Sequence, residues 1–497
     1  MLMSSSMDHA GPSVLRWLLS VAAGGLFALF LLVASPVPFP SALLFLAPTS
    51  PASSASRRSQ LPLFVDPALS AQARAPPAAP ASPPRFAYLI SGSKGDAGML
   101  RRCLLALYHP RNHYILHLDA EAPDSDRAAL AAFVAAHPVL AAARNVRVVE
   151  KANLVTYRGP TMVTTTLHAA AAFLWGEGRG KGADWDWFIN LSASDYPLVT
   201  QDDMMEVFSE LPRDLNFLDH TSDIGWKAFA RAMPVIIDPA LYMKKKGDLF
   251  WIPQKRELPT AFKLFTESIY HDTTSRWPAT TKHKNNKNSL TTASSAWMVL
   301  SRPFVEYLIW GWDNLPRTVL MYYANFISSP EGYFHTVACN ADEFRNTTVN
   351  HDLHYIAWDN PPMQHPHLLT LGDWDGMLAS AAPFARKFRR DDPVLDRIDA
   401  DLLSRAPGML APGGWCVGEV PAAGGNRTGG DDPCKAVGDA AHVRPGPGAA
   451  RLKRLVTSLL SEENFRPKQC KVALVEEHVP AKKVEEHIPS KNVEEHH

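Results

Sequence analysis

The sequence predicts an α/β domain with a mixed, mostly parallel sheet, preceded by one transmembrane helix and a disordered stem. Short apolar runs alternate with helical patterns from Phe86 onward, and such strand–helix–strand alternation is typical of βαβ units. The run Trp17–Ala34 contains 18 residues without a charge. Residues 35–84 are rich in Pro, Ala and Ser. These three observations indicate one folded domain that is attached to a membrane through its N-terminal part.

The apolar run Trp17–Ala34 is long enough to span a bilayer, and it follows a short tail, residues 1–16. Arg16, just before the run, favours a cytosolic N-terminus. A cleaved signal peptide is the alternative, but the run is longer than a usual signal core and no good cleavage site follows it. We therefore expect an anchor at 17–34. We expect residues 35–84 to form an extended stem, because their composition cannot bury enough apolar surface to fold.

The composition argues against some classes of protein. The formal net charge is zero, so a nucleic-acid partner is not indicated. The five cysteines form no CxxC or His/Cys zinc pattern. Cys416 and Cys434 lie in a Gly/Pro-rich segment that we expect to bury little. They are candidates for a disulfide in an oxidising compartment, with buried thiols as the alternative.

The folded domain is predicted to begin near Arg85, with its first strand at residues 86–91. The loop after this strand, SGSKGDAG, is neither a Walker A nor a GxGxxG sequence, but it carries Lys94 among flexible glycines. Such a loop suits contact with a phosphate or a ribose, and an ordinary surface loop is the alternative. Apolar residues at helical spacing from Met99 to Leu107 predict the next helix.

The second strand is predicted at residues 114–118 and ends in Asp119, whose carboxylate could accept hydrogen bonds from a nucleoside. A helix at 127–136, a strand at 146–149 and a helix at 161–175 are predicted to follow. This order continues the βαβ pattern of the domain.

The stretch Asp184–Leu198 is the most informative part of the chain. Its first half is apolar and rich in aromatic residues, and it is too short for a typical helix, so it predicts a buried strand. The run then breaks into small polar residues, from Ser192 to Asp195. Ligands bind at the carboxyl ends of strands in an open α/β sheet, so we expect a binding loop here, with an ordinary strand exit as the alternative.

A helix at 201–211 and a strand at 215–220 are predicted next, and the strand places Asp219 at its end. Lys227 and Arg231 are four residues apart and would share one face of a helix. They could meet an acidic substrate, or they could be solvated, as most such residues are.

Several separated segments resemble glycosyltransferase family 14, the core-2/I-branching enzymes, and are most similar to its plant members. The segments are YLISGSKGD from Tyr88, NLVTYRGPTM from Asn153, FINLSASDYPL from Phe188, SAWMVLSRPFVEY from Ser295 and SSPEGYFHTV from Ser328. The resemblance covers residues 85–416 and implies a GT-A-like nucleotide-sugar-binding domain in the lumen of the Golgi, on a single-pass type II membrane protein. The plant members imply transfer of glucuronic acid from UDP-glucuronate onto galactan chains of arabinogalactan. N-acetylglucosaminyl branching is the alternative.

The same resemblance implies roles for individual residues. Glu331 follows Ser-Pro in a turn and is similar to the catalytic base of the family, once the alignment includes a gap of one residue. The implied donor-binding residues are Asp119, Tyr157, Lys94, Arg386 and Lys387. The implied acceptor-binding residues are Asp219, Trp297 and Trp358.

The resemblance favours a metal-independent reaction, in which a lysine and an arginine stabilise the leaving diphosphate. A divalent cation on a DxD pair is the alternative. DWD occurs twice, at Asp184/Asp186 and at Asp373/Asp375. Neither pair follows an apolar strand, as a DxD pair in a nucleotide-binding domain should, so we expect no metal site at either.

One insertion interrupts the resemblance at residues 267–293. The segment is polar and partly basic, and Ser294 stands where the family has a glycine before SAW. A surface loop and retained sequence from imperfect splicing are both compatible with it. The insertion favours the alternative of a non-catalytic member that binds a glycan or a partner transferase.

The C-terminal part of the sequence is predicted to be an extension of the domain, followed by a disordered tail. Residues 417–470 are Gly/Pro-rich with one helix near 451–460, and residues 471–497 contain a short charged repeat that we expect to be disordered. Three N-x-S/T sequons occur. Asn346 and Asn426 lie in predicted loops and are candidate glycosylation sites, whereas Asn190 lies inside the predicted buried strand and should carry no glycan.

Overall fold

A computed structural model of the chain describes residues 83–175, 184–220, 231, 234–243, 245–255, 295–361, 363, 365–418 and 432–470. The predicted tail, anchor, 267–293 insertion and repeat tail lie outside these residues, as do nearly all of the predicted stem, Lys227, Ser294 and Asn426. Among the residues that are described, no helix is both long enough and apolar enough to cross a membrane.

The described residues form twelve strands. The strands are β1 (Phe86–Gly92), β2 (His113–Leu118), β3 (Val146–Val148), β4 (Trp187–Ser192), β5 (Asp195–Pro197), β6 (Asn216–Leu218), β7 (Pro234–Ile237), β8 (Phe250–Lys255), β9 (Met298–Ser301), β10 (Thr348–Val349), β11 (His354–Ile356) and β12 (Phe384–Arg386). The helices are Ala97–Leu107, Asp124–Ala136, Pro138–Ala143, Thr161–Trp175, Gln201–Ser209, Arg302–Trp310, Leu315–Tyr323, Tyr333–Asn340, Asp342–Arg345, Trp374–Ser380, Pro393–Asp401 and Pro447–Leu459. Short 3-10 turns occur at Pro239–Leu241, Ser329–Glu331 and Leu371–Asp373.

The central element is a seven-stranded sheet with the strand order β10-β6-β9-β4-β1-β2-β3. β1 pairs in parallel with both β2 and β4, β2 with β3, and β6 with β10. Only β9 is antiparallel to its neighbours in this sheet. The predicted α/β fold with a mixed, mostly parallel sheet is therefore confirmed, and this architecture fits a GT-A-like domain.

Both faces of the sheet are buried, which explains why its strands read as continuous apolar runs rather than as alternating ones. Phe86, Tyr88 and Ile90 of β1 belong to one buried cluster, whereas Ala87 and Leu89 belong to a second cluster on the opposite face. Successive side chains of a strand point to opposite faces, so β1 contributes to both layers of the core.

The prediction of a loop at Ser192–Asp195 is only partly right, because Asp195–Pro197 forms the short strand β5. β5 pairs antiparallel with β12, which pairs in parallel with β11, in a second sheet of three strands. The partner of β5 lies almost 190 residues further along the chain, so local sequence carries no signal for this pairing. The register places Arg386 opposite Asp195.

Two disulfides join described cysteines, and Cys103 is a buried free thiol. Cys416 bonds Cys434, and Cys339 bonds Cys470. We expected the Cys416–Cys434 segment to bury little, but both cysteines are buried in the main core cluster, and residues 419–431 between them lie outside the described residues. The C-terminal helix Pro447–Leu459 also inserts apolar side chains into that cluster.

The predicted glycosylation sites differ in exposure. Asn346 is exposed. Asn190 is buried in β4, where its amide donates to the Ala296 carbonyl at 3.0 Å and accepts from the Met298 backbone N–H at 3.0 Å. These two hydrogen bonds link β4 to the antiparallel strand β9, so the side chain has a structural role.

Candidate active site

Glu331 lies in the short turn Ser329–Glu331, directly before the helix Tyr333–Asn340. The turn is held firmly: the Ser329 hydroxyl lies 2.7 Å from the Tyr323 carbonyl and 2.6 Å from the Phe326 carbonyl. Gly332 follows, and a Cβ at this position would lie 2.7 Å from the Tyr323 ring. A glycine is therefore needed here for the turn to pack against Tyr323.

The Glu331 carboxylate is buried and faces Arg231, whose Nη1 lies 2.6 Å from Glu331 Oε2. Arg231 is thus a residue of the site, although most of its neighbours in sequence lie outside the described residues. The ion pair fixes the direction in which the carboxylate points, because a charge-assisted hydrogen bond of this length is strong and directional.

Tyr157 lies against the same carboxylate. Burial of the hydroxyl raises the pKa of Tyr157, and the negative charge and hydrogen bonding of Glu331 raise it further, whereas Arg386 and Arg231 act in the opposite direction. The residue as a whole is 43% exposed. The hydroxyl end of Tyr157 therefore lies in the site with Glu331, whereas another part of the side chain is accessible to a ligand.

Arg386 links the segment Phe384–Phe388 (FARKF), in which it lies, to the segment Ser194–Leu198 (SDYPL). Its Nε lies 2.9 Å from Asp195 Oδ1, and its guanidinium lies 4.1 Å from the centre of the Trp297 ring. Asp195 is fully buried and also accepts a hydrogen bond from the Ser192 backbone N–H at 2.5 Å. The adjacent Lys387 is half-buried, and its backbone carbonyl accepts from the Leu369 N–H.

Asp119 is buried at the carboxyl end of β2, as the sequence predicts. Its carboxylate accepts from the Ser93 hydroxyl at 3.2 Å and the Glu121 backbone N–H at 3.1 Å. It also lies 2.5 Å from the ammonium of Lys246. Lys94 is exposed in the loop after β1. The structure therefore brings into contact with Asp119 a lysine that the sequence analysis did not single out, Lys246.

Asp219 and Trp297 lie at neighbouring ends of β6 and β9, and the Ser295 N–H donates to the Asp219 carbonyl at 3.4 Å. Burial raises the pKa of Asp219 to about 7, and the nearby carboxyl of Asp352 raises it as well. Trp297 is buried, packs against His354 with ring centres 6.1 Å apart and planes tilted by 40°, and its indole N–H has no partner among the described residues. Trp358 is 48% exposed in the loop after β11.

Buried histidines surround this second group of residues, and the sequence analysis missed them. Burial lowers the pKa of His335 to about 3, and the neighbouring His220 contributes. The Asp219 and Ser295 backbones are polar neighbours of His335, but neither of its ring nitrogens forms a hydrogen bond of good geometry with a described residue. A histidine within the apolar-looking run YFHTVACN gives no sequence signal for this position, since most such histidines are satisfied core residues.

The acidic pairs DWD have structural contacts. Asp186 accepts from the Arg85 backbone N–H at 2.8 Å, before β1 begins, and Asp184 pairs with the Arg85 side chain at 2.8 Å. Asp373 caps the turn Leu371–Asp373 through Thr370. His220 lies near Cys339 and Cys470, but a disulfide joins these two cysteines, so the group does not offer thiolate ligands to a metal.

The fold and these residues together fit an enzyme that handles a nucleotide sugar, because a buried carboxylate and several cations lie at the carboxyl ends of an α/β sheet. Residues 86–378 match the Core-2/I-Branching enzyme family, and the chain belongs to this family. It is therefore a glycosyltransferase, which uses a nucleotide-sugar donor and a glycan acceptor.

Three relatives from Arabidopsis thaliana are named as beta-glucuronosyltransferases. The chain is 63% identical to GlcAT14A over 390 residues, which cover 78% of each chain. It is 61% identical to GlcAT14B over 387 residues, or 78% of this chain and 80% of the relative. It is 46% identical to GlcAT14C over 388 residues, or 78% of this chain and 85% of the relative.

Proposed function

We propose that the chain transfers glucuronic acid from UDP-glucuronate onto galactose residues of arabinogalactan-type glycans, with inversion at C1 and a beta linkage in the product. We further propose that it acts in the Golgi lumen as a single-pass type II membrane protein. Identities of 46–63% to relatives named as beta-glucuronosyltransferases support the donor. The observation that carries the mechanism is the buried Glu331 carboxylate between Tyr157 and Arg231.

Glu331 acts as the general base in this proposal. A galactose hydroxyl donates its proton to the Glu331 carboxylate as its oxygen forms a bond to C1 of the glucuronate. The bond between C1 and the UDP oxygen breaks at the same time, and UDP leaves with the electron pair. Arg231 and Tyr157 hold the carboxylate in one orientation, which a single displacement requires because the attacking oxygen must lie opposite the leaving group.

The donor is held by residues at the ends of β1, β2 and β12. Asp119 accepts from the nucleoside, Tyr157 offers the exposed part of its ring to it, and Lys94 reaches the phosphates from the loop after β1. Lys387 and Arg386 stabilise the charge that develops on the leaving diphosphate, so that the reaction needs no metal ion. Arg386 is already oriented by Asp195 and Trp297, which supports a preorganised role for it.

The acceptor lies on the side of β6 and β9. Asp219 is the proposed partner of an acceptor hydroxyl, and its raised pKa means that the carboxyl is partly protonated near neutral pH, when it can donate as well as accept. Trp297 supports this side from within the core, whereas Trp358 is exposed and could contact a sugar ring of the glycan.

The test is transfer by the full chain in membranes, with a β-galactan acceptor and either UDP-glucuronate or UDP-N-acetylglucosamine. We expect a glucuronosylated product from the unaltered chain. Glu331→Gln should lower turnover about 10³-fold, which lies within the range for loss of a general base. Glu343→Gln, at an exposed position, is the matched control and should retain activity.

Transfer of N-acetylglucosamine alone would overturn the proposed donor. Binding of UDP without transfer of either sugar would favour a non-catalytic protein. In that case the same measurement on a chain that lacks residues 267–293 would show whether the insertion suppresses the activity.

A further inference from the structure

Lys246 makes three polar contacts at the carboxyl ends of β1 and β2. Its Nζ lies 2.5 Å from Asp119 Oδ2, 3.0 Å from Glu121 Oε2 and 3.2 Å from the Ser93 hydroxyl. Its side chain is 23% exposed. All three donors of the ammonium therefore have partners in the proposed nucleotide site, although Lys246 lies more than 120 residues further along the chain.

The segment that carries Lys246 is anchored beside Tyr157. It connects β7 to β8 and starts at Asp238, which is fully buried. The Asp238 carboxylate accepts from the Thr156 hydroxyl at 2.5 Å and the Thr161 hydroxyl at 2.9 Å. A Cβ at Gly159 would lie 2.2 Å from Asp238 Oδ2, so only glycine allows this close approach. The β7–β8 connection is thus fixed to the segment that precedes the helix Thr161–Trp175.

The two carboxylates beneath Lys246 would oppose the binding of a nucleotide sugar. The diphosphate of a nucleotide sugar carries two negative charges near neutral pH, and a uronic acid adds a third. Asp119 and Glu121 lie close to the place where such a ligand must bind if Asp119 contacts the nucleoside. Charges at partly buried positions are screened less than surface charges, so the repulsion between the ligand and the carboxylates would lower the affinity for the ligand.

We propose that Lys246 is a donor-binding residue that offsets one of the two negative charges of Asp119 and Glu121, and thereby makes the site accept a polyanionic nucleoside diphosphate sugar. This inference rests on the proposed function, in which Asp119 contacts the nucleoside. Burial alone would lower the pKa of Lys246, but the hydrogen bonds and charges of the two carboxylates outweigh burial and raise it. The Lys246 ammonium thus stays charged throughout the physiological pH range.

The experiment measures UDP binding to the full detergent-solubilised chain by calorimetry, so that its readout does not depend on turnover. Lys246→Met should weaken UDP binding about tenfold or more, because it leaves two uncompensated carboxylates beside the diphosphate. Lys246→Arg should retain most of the affinity, because it keeps the charge. Lys245→Met is the matched control, since the neighbouring lysine is exposed and no ion pair is seen for it among the described residues.

Two further measurements separate compensation of charge from a structural role. Adding Glu121→Gln to Lys246→Met should recover part of the lost affinity, because it removes one of the repelling charges. Glu121→Gln alone should tighten UDP binding, and this variant tests the inference even if Lys246→Met does not fold.

The outcomes distinguish this inference from the proposed function. UDP affinity that is unchanged in Lys246→Met would overturn the inference alone. Tighter binding by Lys246→Met would overturn it as well, and would make Lys246 a competitor of the nucleotide. If the unaltered chain does not bind UDP, the proposed function fails and the inference fails with it.

Discussion

The donor side and the acceptor side of the site bury their carboxylates in opposite ways. On the donor side, Asp119 lies against Lys246 and Asp195 lies against Arg386. On the acceptor side, Asp219 and Asp352 lie near each other, no ion pair of either carboxylate is seen among the described residues, and the buried His335 is a neighbour. Carboxylates on the donor side are therefore paired with cations. The pKa of Asp219, in contrast, is raised to about 7, so protonation removes its charge below that pH.

This difference suits the two proposed substrates. A nucleotide sugar is a polyanion and requires fixed positive charge that does not depend on pH. A neutral galactan offers only hydroxyls, so a carboxyl that can both accept and donate a hydrogen bond is a suitable partner. In the proposed mechanism Glu331 serves both substrates, since it must accept a proton from the acceptor while the bond within the donor breaks.

The largest effect is expected from breaking the compensated pair on the donor side. Arg386→Ala leaves the fully buried Asp195 without its cation, which should lower the free energy of unfolding by about 3 kcal/mol. Chemical denaturation monitored by tryptophan fluorescence measures this. Adding Asp195→Asn to the same variant should recover part of the loss, because the buried charge is then removed.

A loss from Arg386→Ala that Asp195→Asn does not relieve would contradict this account. It would mean that Arg386 stabilises the protein mainly through its packing over Trp297.

A smaller effect is expected on the acceptor side, and it depends on pH. The pKa of Asp219 is raised in the folded state relative to its ordinary value of 3.8, so its ionisation makes the protein less stable as the pH rises from about 4 to about 7. Asp219→Asn cannot ionise. Relative to the unaltered chain, it should gain on the order of 2 kcal/mol between pH 4 and pH 8, after allowance for partial exposure.

Thermal unfolding of both proteins across this pH range measures the difference, with the exposed Asp375→Asn as control. Burial also lowers the pKa values of His220 and His335, to about 4 and about 3, and these histidines destabilise both proteins equally as the pH falls. Parallel pH profiles of stability for Asp219→Asn and the unaltered chain would mean that the pKa of Asp219 is not raised, and would contradict this account.

The smallest effect concerns Tyr157, which lies beside Glu331. Tyr157→Phe keeps the ring but removes the hydroxyl that interacts with Glu331. We expect kcat to fall about tenfold while KM for the donor is unchanged, since a hydrogen bond to a charged group contributes on the order of 1.5 kcal/mol. A rise in donor KM at constant kcat would instead support packing on the uridine as the main role of Tyr157.

The sequence predicted the donor side better than the acceptor side, for physical reasons. β1, β2 and β4 are buried on both faces and read as continuous apolar runs, and Asp119 follows β2 directly. The resemblance implied Arg386, but its pairing with Asp195 and the approach of Lys246 to Asp119 were not predictable, because both are contacts between distant parts of the chain. A run of three lysines before Gly247 normally indicates a solvated loop.

The sequence contains weaker signals for the elements and residues of the acceptor side. β6 and β9 are only three and four residues long, and the 267–293 insertion separates them in sequence. His335 and Asp352 lie in segments with no motif of their own. His335 reaches Asp219 from the helix Tyr333–Asn340, whereas Asp352 reaches it from the segment between β10 and β11. No local pattern in the sequence specifies either contact.

The most direct test of the central claim is whether the protein's own cations replace a metal ion on the donor side. The measurement is turnover of UDP-glucuronate by the full chain with a β-galactan acceptor, in excess EDTA and again with added Mn²⁺. We predict equal rates in both conditions, because Arg386 and Lys387 stabilise the leaving diphosphate. A rate that EDTA abolishes and Mn²⁺ restores would contradict the account, and would assign that charge to a metal ion.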